Sequence, residues 1–186
     1  MLSLLSMNRA VIIVVGIIAA VLAGCLPVRA QVRRVSAGGF YSFKGCGLSV
    51  VFDTPEHFSR ATILADFTGL LSGSHKEPGV QAGYWVLYPL ARWDVFDDMS
   101  VRPYVGPGLQ AGYVRDYDKG FGVVAALGAG AGFRADFSRR VSIDLGWTVS
   151  AGVHLQARNF HNTRVTVWQN GIYKIPLPEL SILYRF

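Results

Sequence analysis

The sequence predicts an all-β chain, folded as an eight-stranded antiparallel, up-and-down transmembrane β-barrel. Three observations predict it: two very long alternating runs, a composition rich in glycine and aromatics but poor in charge, and a short apolar leader ahead of the alternating region. The runs lie between Phe121 and Gln156. Phe121, Val123, Ala125, Leu127, Ala129, Ala131, Phe133, Ala135 and Phe137 alternate with small, polar or charged residues. After the polar turn at Ser138-Arg139-Arg140 the pattern resumes, with Val141, Ile143, Leu145, Trp147, Val149, Ala151, Val153 and Leu155 on one register. A period of two on both sides of a tight turn is a β-hairpin. Soluble strands usually run about 5–6 residues. Longer strands with one unbroken apolar face suit a barrel wall in lipid.

Composition supports this class. The chain has 186 residues, enough for one domain, and is 51% hydrophobic and 16% charged, with 21 Gly, 11 Phe and 8 Tyr. The net charge is +6, but no basic run exceeds Arg33-Arg34 or Arg139-Arg140. Scattered basic residues lack the patch or stripe that nucleic acid requires, so no nucleic-acid partner is expected.

Asn8-Arg9 followed by the apolar run from Ala10 to Ala23 has the charged and hydrophobic regions of an export signal, with Met1 or Met7 as its start. Residues 1–30 are therefore expected to be a signal peptide and 31–186 the barrel domain. Val28-Arg29-Ala30 before Gln31 suits ordinary cleavage after Ala30, and Leu22-Ala23-Gly24-Cys25 is the alternative, a lipobox that would place a lipid on Cys25. Cleavage after Ala30 removes Arg9 and Arg29, lowering the charge from +6 to +4 over 156 residues, and leaves Cys46 as the one cysteine, with no internal disulfide.

In chain order, Ala37, Gly39, Tyr41 and Phe43 share one parity and Leu48, Val50 and Phe52 the other, with the switch at Lys44-Gly45. Asp53-Thr54-Pro55-Glu56 reads as a turn. Ile63, Ala65 and Phe67 alternate with Thr62, Asp66 and Thr68. A polar loop over 72–78 precedes the strand of Val80, Ala82, Tyr84, Val86, Tyr88 and Leu90. Residues 94–100 read as a loop. Val101 to Tyr113 alternates, with Pro103 and Pro107 on the outward register, where distortion is expected because proline gives no ladder donor. Arg164 to Trp168 alternates briefly, Asn170-Gly171 is a hairpin-turn signal, and Leu180, Ile182, Tyr184 and Phe186 share one face at the end.

These segments number nine, whereas single-chain bacterial barrels have an even number. Either residues 36–43 and 47–52 are separate strands and 158–177 is an outer loop with its own Asn-Gly hairpin, or 36–52 is one bulged strand and 164–175 a wall strand. The first is preferred, because it puts a short turn at Ser138-Arg139-Arg140 and the longest loop on the outer side. Eight strands leave an interior about filled by side chains, with no wide pore.

With an export leader, alternating strands and a terminal Phe186, the chain resembles the small outer-membrane β-barrels, the group of the OmpA membrane domain and the OmpX-like barrels. Leu180, Ile182, Tyr184 and Phe186 resemble the C-terminal signature by which such barrels are recognised for assembly. Tyr104-Val105-Gly106-Pro107-Gly108 and Asp53-Thr54-Pro55-Glu56-His57-Phe58 are similar to segments of uncharacterised members. The resemblance implies a monomer in the outer membrane of a Gram-negative cell, with lipid and the barrel-assembly machinery as partners. It implies no particular activity, because fold alone does not.

Asp66, Arg102, Arg134, Asp136, Asp144, His154 and Arg185 fall on inward registers and are expected to form a structural polar network in the lumen, since a buried charge must be paired. An ion or proton path is the sharper alternative. No catalytic site is expected. His154 and Ser150 share a face, as a lipid A deacylase-like barrel would need, but four residues along a strand span about 13 Å at about 3.3 Å each, beyond the reach of a nucleophile–base pair. No cofactor is expected, and four scattered His with one mature Cys show no metal-ligand spacing. Gly128, Gly130 and Gly132 read as inward positions crowded by Trp85 or Tyr104. The aromatic and amide-rich region 158–171 offers a surface for a glycan or protein, since loops on a rigid scaffold often carry function.

Overall fold

The computed structural model describes residues 34–67, 71, 78–114, 121–137, 140–157, 163–170 and 178–186. The leader 1–30, with Cys25 and the Ala30 junction, lies outside them, as do residues 72–77, 115–120, 138–139, 158–162 and the Gly171 half of the Asn-Gly signal. The rest is almost entirely strand: β1 (Arg34–Ser42), β2 (Gly45–Asp53), β3 (Phe58–Asp66), β4 (Gly79–Pro89), β5 (Trp93–Phe96), β6 (Met99–Val114), β7 (Phe121–Phe137), β8 (Val141–Ala157), β9 (Thr163–Asn170) and β10 (Pro178–Arg185).

Neighbouring strands pair antiparallel, and β10 pairs with both β1 and β8. The ladder therefore closes into a ring of eight wall positions, β1-β2-β3-β4-β6-β7-β8-β10. This closure excludes the soluble β-sandwich, whose sheets stay separate. Cross-strand partners followed once round, from Gly146 on β8 through Glu179, Ser42, Gly45, Asp66, Gly79, Val114 and Gly122, return to β8 at Gln156. Gly79 is matched to Val114 one step beyond the Val80–Tyr113 pair. The return point lies ten residues further along β8. Such a stagger accompanies a strand tilt of about 35–45° and fixes the bore at side-chain width.

Lys44-Gly45 is where one strand ends and another begins, so 36–43 and 47–52 lie on separate strands, as preferred. Three other expectations are corrected. Residues 94–100 are not a loop: Trp93–Phe96 forms β5, continuing the arm of β4 against Met99–Val101 after an irregular stretch at Leu90–Arg92. A register shift between Asp94 and Phe96 breaks the alternation that would have revealed it. Asp53 is not in a turn but ends β2, with its carboxylate in the lumen; the turn is Thr54–His57, where Thr54 Oγ1 donates to the His57 carbonyl at 2.6 Å. Residues 163–170 are not loop but strand β9, which pairs with the far half of β8. Since Ser150 faces Asn170 and Trp147 faces Pro178, β9 and β10 occupy one wall position, with seven residues between them where β8 has two.

Alternation decides what faces where. Outward lie Tyr41, Leu48, Ile63, Val105, Leu109, Leu127, Phe133, Leu145, Val153 and Ile182, all exposed. Inward and buried lie Val51, Phe58, Trp85, Leu87, Tyr104 and Leu183, which form one apolar cluster across the bore. Space for the two largest rings comes from missing side chains. A Cβ on Gly108 would overlap the Trp85 ring, one on Gly128 would touch it, and Cβ atoms on Gly132 and Gly146 would collide with the Tyr104 hydroxyl. Gly128 and Gly132 are thus crowded as expected, by those two side chains, whereas a Cβ on Gly130 would meet only ordinary contacts with Leu87 and Trp85.

Gly108→Val should destabilise the barrel by about 1–3 kcal/mol, the usual cost of overpacking. In a Trp85→Ala background, which removes the ring that the new side chain would meet, the same substitution should cost much less. Urea midpoints of the four members of this cycle test it, and strict additivity would exclude the contact as the cause.

Candidate functional site

The lumen holds the polar side chains predicted from alternation, arranged as two ion clusters and an outer polar group. The first cluster centres on Asp136 near the barrel end that carries Arg34 and Phe186. Ser142 Oγ donates to Asp136 Oδ1 at 2.6 Å and Arg185 Nη2 to the same oxygen at 2.7 Å, while Arg102 Nη2 donates to Oδ2 at 2.8 Å. Arg134 Nε lies 3.5 Å from Asp136 Oδ1. The other end of the Arg134 guanidinium reaches across the bore, with Nη1 donating to Asp53 Oδ1 at 3.1 Å and Nη2 to Ser36 Oγ at 3.4 Å. Its Cζ lies over Phe58, 5.4 Å from the ring centre.

The second cluster centres on Arg60. Its Nη1 lies 3.6 Å from Asp144 Oδ1 and its Nη2 3.5 Å from Glu179 Oε2. Nη2 also donates to Ser181 Oγ at 2.8 Å and Nε to Ser49 Oγ at 3.2 Å. Tyr104 donates its hydroxyl proton to Asp144 Oδ1 at 2.6 Å, and Thr148 donates to Glu179 Oε1 at 2.9 Å. Strands β2, β3, β6, β8 and β10 are thereby tied through the interior rather than only along the wall.

The two clusters contain Arg60, Arg102, Arg134 and Arg185 against Asp53, Asp136, Asp144 and Glu179, four charges of each sign. Neutrality matters because an uncompensated charge buried in a narrow bore is expensive. Asp66 and His154 sit apart, toward the other end. Gln81 Nε2 donates to Asp66 Oδ2 at 2.7 Å, Gln110 Nε2 donates to Gln81 Oε1, and Ser150 Oγ donates to Gln110 Oε1 at 2.8 Å. Gln156 Nε2 is 3.3 Å from His154 Nδ1.

The structure therefore brings Arg102, Arg134, Asp136 and Arg185 together, gives Asp144 to a second centre, and leaves Asp66 and His154 outside both. Arg60, Asp53 and Glu179 were missed. Parity could have found Arg60, since it shares a register with Thr62 and Asp66. Asp53 was hidden by its Thr-Pro neighbours, and Glu179 lies at the start of a strand whose alternation was read from Leu180. Leu180, Ile182, Tyr184 and Phe186 point outward and are exposed. Among the described residues, no group of three or more His, Cys, Asp or Glu is placed to hold a metal ion.

No protein-family model matches the chain, and no curated protein matches it. Among solved structures it is similar to a major outer membrane protein of Thermus thermophilus, at 15% identity and a TM-score of 0.44, over 82% of this chain and 98% of that one. It is also similar to Neisserial surface protein A, at 12% identity and a TM-score of 0.38, over 82% of this chain and 91% of that one. The fold itself rests on the closed ladder, which stands without either likeness.

Arg134→Ala should lower stability by about 3–5 kcal/mol by leaving Asp53 and Asp136 under-compensated. Arg92→Ala, which breaks an ion pair with Asp94 in which both side chains are two-thirds exposed, should change it by less than about 0.5 kcal/mol. Denaturant titration of detergent-folded protein separates the two, and similar losses would overturn the distinction between lumen and surface pairs.

Proposed function

We propose that the chain is an outer-membrane β-barrel of a Gram-negative cell, non-catalytic and without a wide pore, serving a structural or surface-interaction role. The observation that carries this reading is a reversal of the usual globular surface: the buried ion pairs lie inside a closed ring whose outer face is apolar. Leu48, Leu127 and Ile182 are more than half exposed on different sides of that ring. So large an apolar surface on a monomer calls for lipid around it. Among the described residues no helix is long and apolar enough to cross a membrane. The Leu180-to-Phe186 face supports delivery by the barrel-assembly machinery, and the Ala10-to-Ala23 run supports export.

The absence of a wide pore is supported by Phe58, Trp85, Leu87 and Tyr104, which meet across the bore beside the Arg60 cluster. A surface role is supported by the far ends of β8 and β9, which lead into residues 158–162 at the end opposite Arg34 and Phe186. A glycan or a protein is the partner class proposed there. The non-catalytic reading is supported by the company of the two residues an acyl-transfer site would use: Ser150 Oγ donates to Gln110, and His154 Nδ1 faces Gln156.

In fractionated cells the protein should be found in outer membranes and migrate faster on gels unboiled than boiled. Reconstituted in planar bilayers, it should show no large steady conductance. A soluble periplasmic protein with no mobility shift would overturn the membrane reading, whereas a stable porin-sized current would overturn only the sealed lumen. His154→Ala should leave the lipid A profile by mass spectrometry unchanged.

A further inference from the structure

We propose that the seam between β4 and β6 is a lateral port, which opens ahead of the neighbouring seams and lets a lipid acyl chain reach the lumen at Trp85. The inference rests on the membrane reading above.

The seam is weakened by its own sequence. The Leu90 amide donates to the Pro103 carbonyl at 2.9 Å. In an antiparallel ladder, residues that exchange hydrogen bonds with a given neighbour recur at every second position. Odd-numbered residues of β6 from Pro103 onward therefore direct their backbone groups at β4. Pro103 and Pro107 stand on that register without an N–H, and neither can donate to the carbonyl opposite, on Leu90 and Val86. The pairing fails accordingly: it runs from Val80–Tyr113 to Trp85–Gly108, lapses at Val86 and Leu87 opposite Pro107 and Gly106, and resumes only for Tyr88–Val105 and Pro89–Tyr104. The other face of the same strand is intact, with the β6–β7 ladder unbroken from Met99–Phe137 to Val114–Gly122. The β1–β2, β2–β3, β3–β4 and β7–β8 ladders are likewise continuous. Just beyond the gap β4 ends at Pro89, and β5 does not begin until Trp93, with the Leu90 amide bonded to Pro103 between them.

The chemistry on the two sides of the seam selects what can pass. Tyr88 and Val105 face outward and are exposed. Behind them lie Trp85, Leu87 and Tyr104, with Gly106 and Gly108 contributing no side chain. Apolar groups on both sides suit an acyl chain and oppose a charged or strongly hydrated solute. The void beside Trp85, Leu87 and Tyr104 measures about 10 Å³, so a chain must displace the Trp85 ring to enter. Trp85 is therefore both the stopper and the reporter.

The test uses tryptophan quenching by phosphatidylcholine with chain-brominated tails, in vesicles holding the folded barrel. Trp93→Phe, Trp147→Phe and Trp168→Phe leave Trp85 alone of the four tryptophans. A second variant retains only Trp147, on the outward register of β8. Both should be quenched. Restoring the donors by Pro103→Val with Pro107→Val should cut Trp85 quenching at least twofold and leave Trp147 unaffected. Trp85 quenching unchanged by the restored donors, or absent while Trp147 is quenched, overturns the port and spares the membrane reading. No quenching of either overturns both. Amide exchange in the unmutated protein gives an arm free of refolding risk: the Val86 and Leu90 amides should exchange at least tenfold faster than that of Ala131 in the β6–β7–β8 wall, and equal rates would sink the proposal.

Discussion

The ring closure at β10 is the constraint from which the rest of the structure follows. Once β10 bonds β1 on one side and β8 on the other, the wall has eight positions and a stagger of ten residues, and its bore is set before any inward side chain is chosen. That bore is narrow enough to shut Arg134, Asp144 and Ser181 wholly away from solvent. Every large inward ring then needs a neighbour with none, which is why Trp85 lies over Gly108 and Tyr104 over Gly132 and Gly146. Every inward charge needs a partner within a few ångströms, which is why four arginines meet four carboxylates. The alternation of small and charged residues on β7 and β8 records both demands.

The ion clusters also hold the ring from within. A ladder restrains only neighbouring strands, whereas Arg134 joins β7 to β2 and Arg60 joins β3 to β8 and β10. These chords cross the bore on both sides of the apolar cluster of Phe58 and Tyr104, whose rings meet edge to face at 5.1 Å. The placing of the Arg134 Cζ 5.4 Å from the Phe58 ring centre shows how the two kinds of filling are interleaved: a planar guanidinium can donate in its plane and still lie against an aromatic ring. A lysine has no such plane, so charge alone does not explain the choice of arginine in the lumen.

Much of this was legible in the sequence, and the divide between legible and hidden has a physical basis. Period two assigns a side chain to a face, so the inward positions of Arg102, Arg134, Asp144 and Arg185 and the outward positions of Leu180, Ile182, Tyr184 and Phe186 follow from counting. It does not assign partners across a ring. Arg134 meets Asp53, eighty-one residues away, only because the stagger brings β2 and β7 to matching heights, and no local pattern carries that number. Elements whose alternation is broken were lost for the same reason. The register shift in β5 made a strand look like a loop, and the extra residues between β9 and β10 made one wall position look like a strand and a separate excursion.

The wall is also uneven. Strands β1, β2 and β3 have nine residues each, whereas β6, β7 and β8 have sixteen or seventeen. The long strands therefore stand beyond the short ones at the end opposite Arg34 and Phe186, and β9 pairs there with β8 where β10 no longer reaches. This geometry divides the molecule by what each part can do. The short side is closed by the β1–β2 hairpin at Phe43–Lys44, and the tall side carries β9 on the far half of β8. The prolines of β6 lie on the seam between them, where β4, of intermediate length, meets the first long strand. The donors lost there fall on the join between two halves that the lumen charges tie together across the bore.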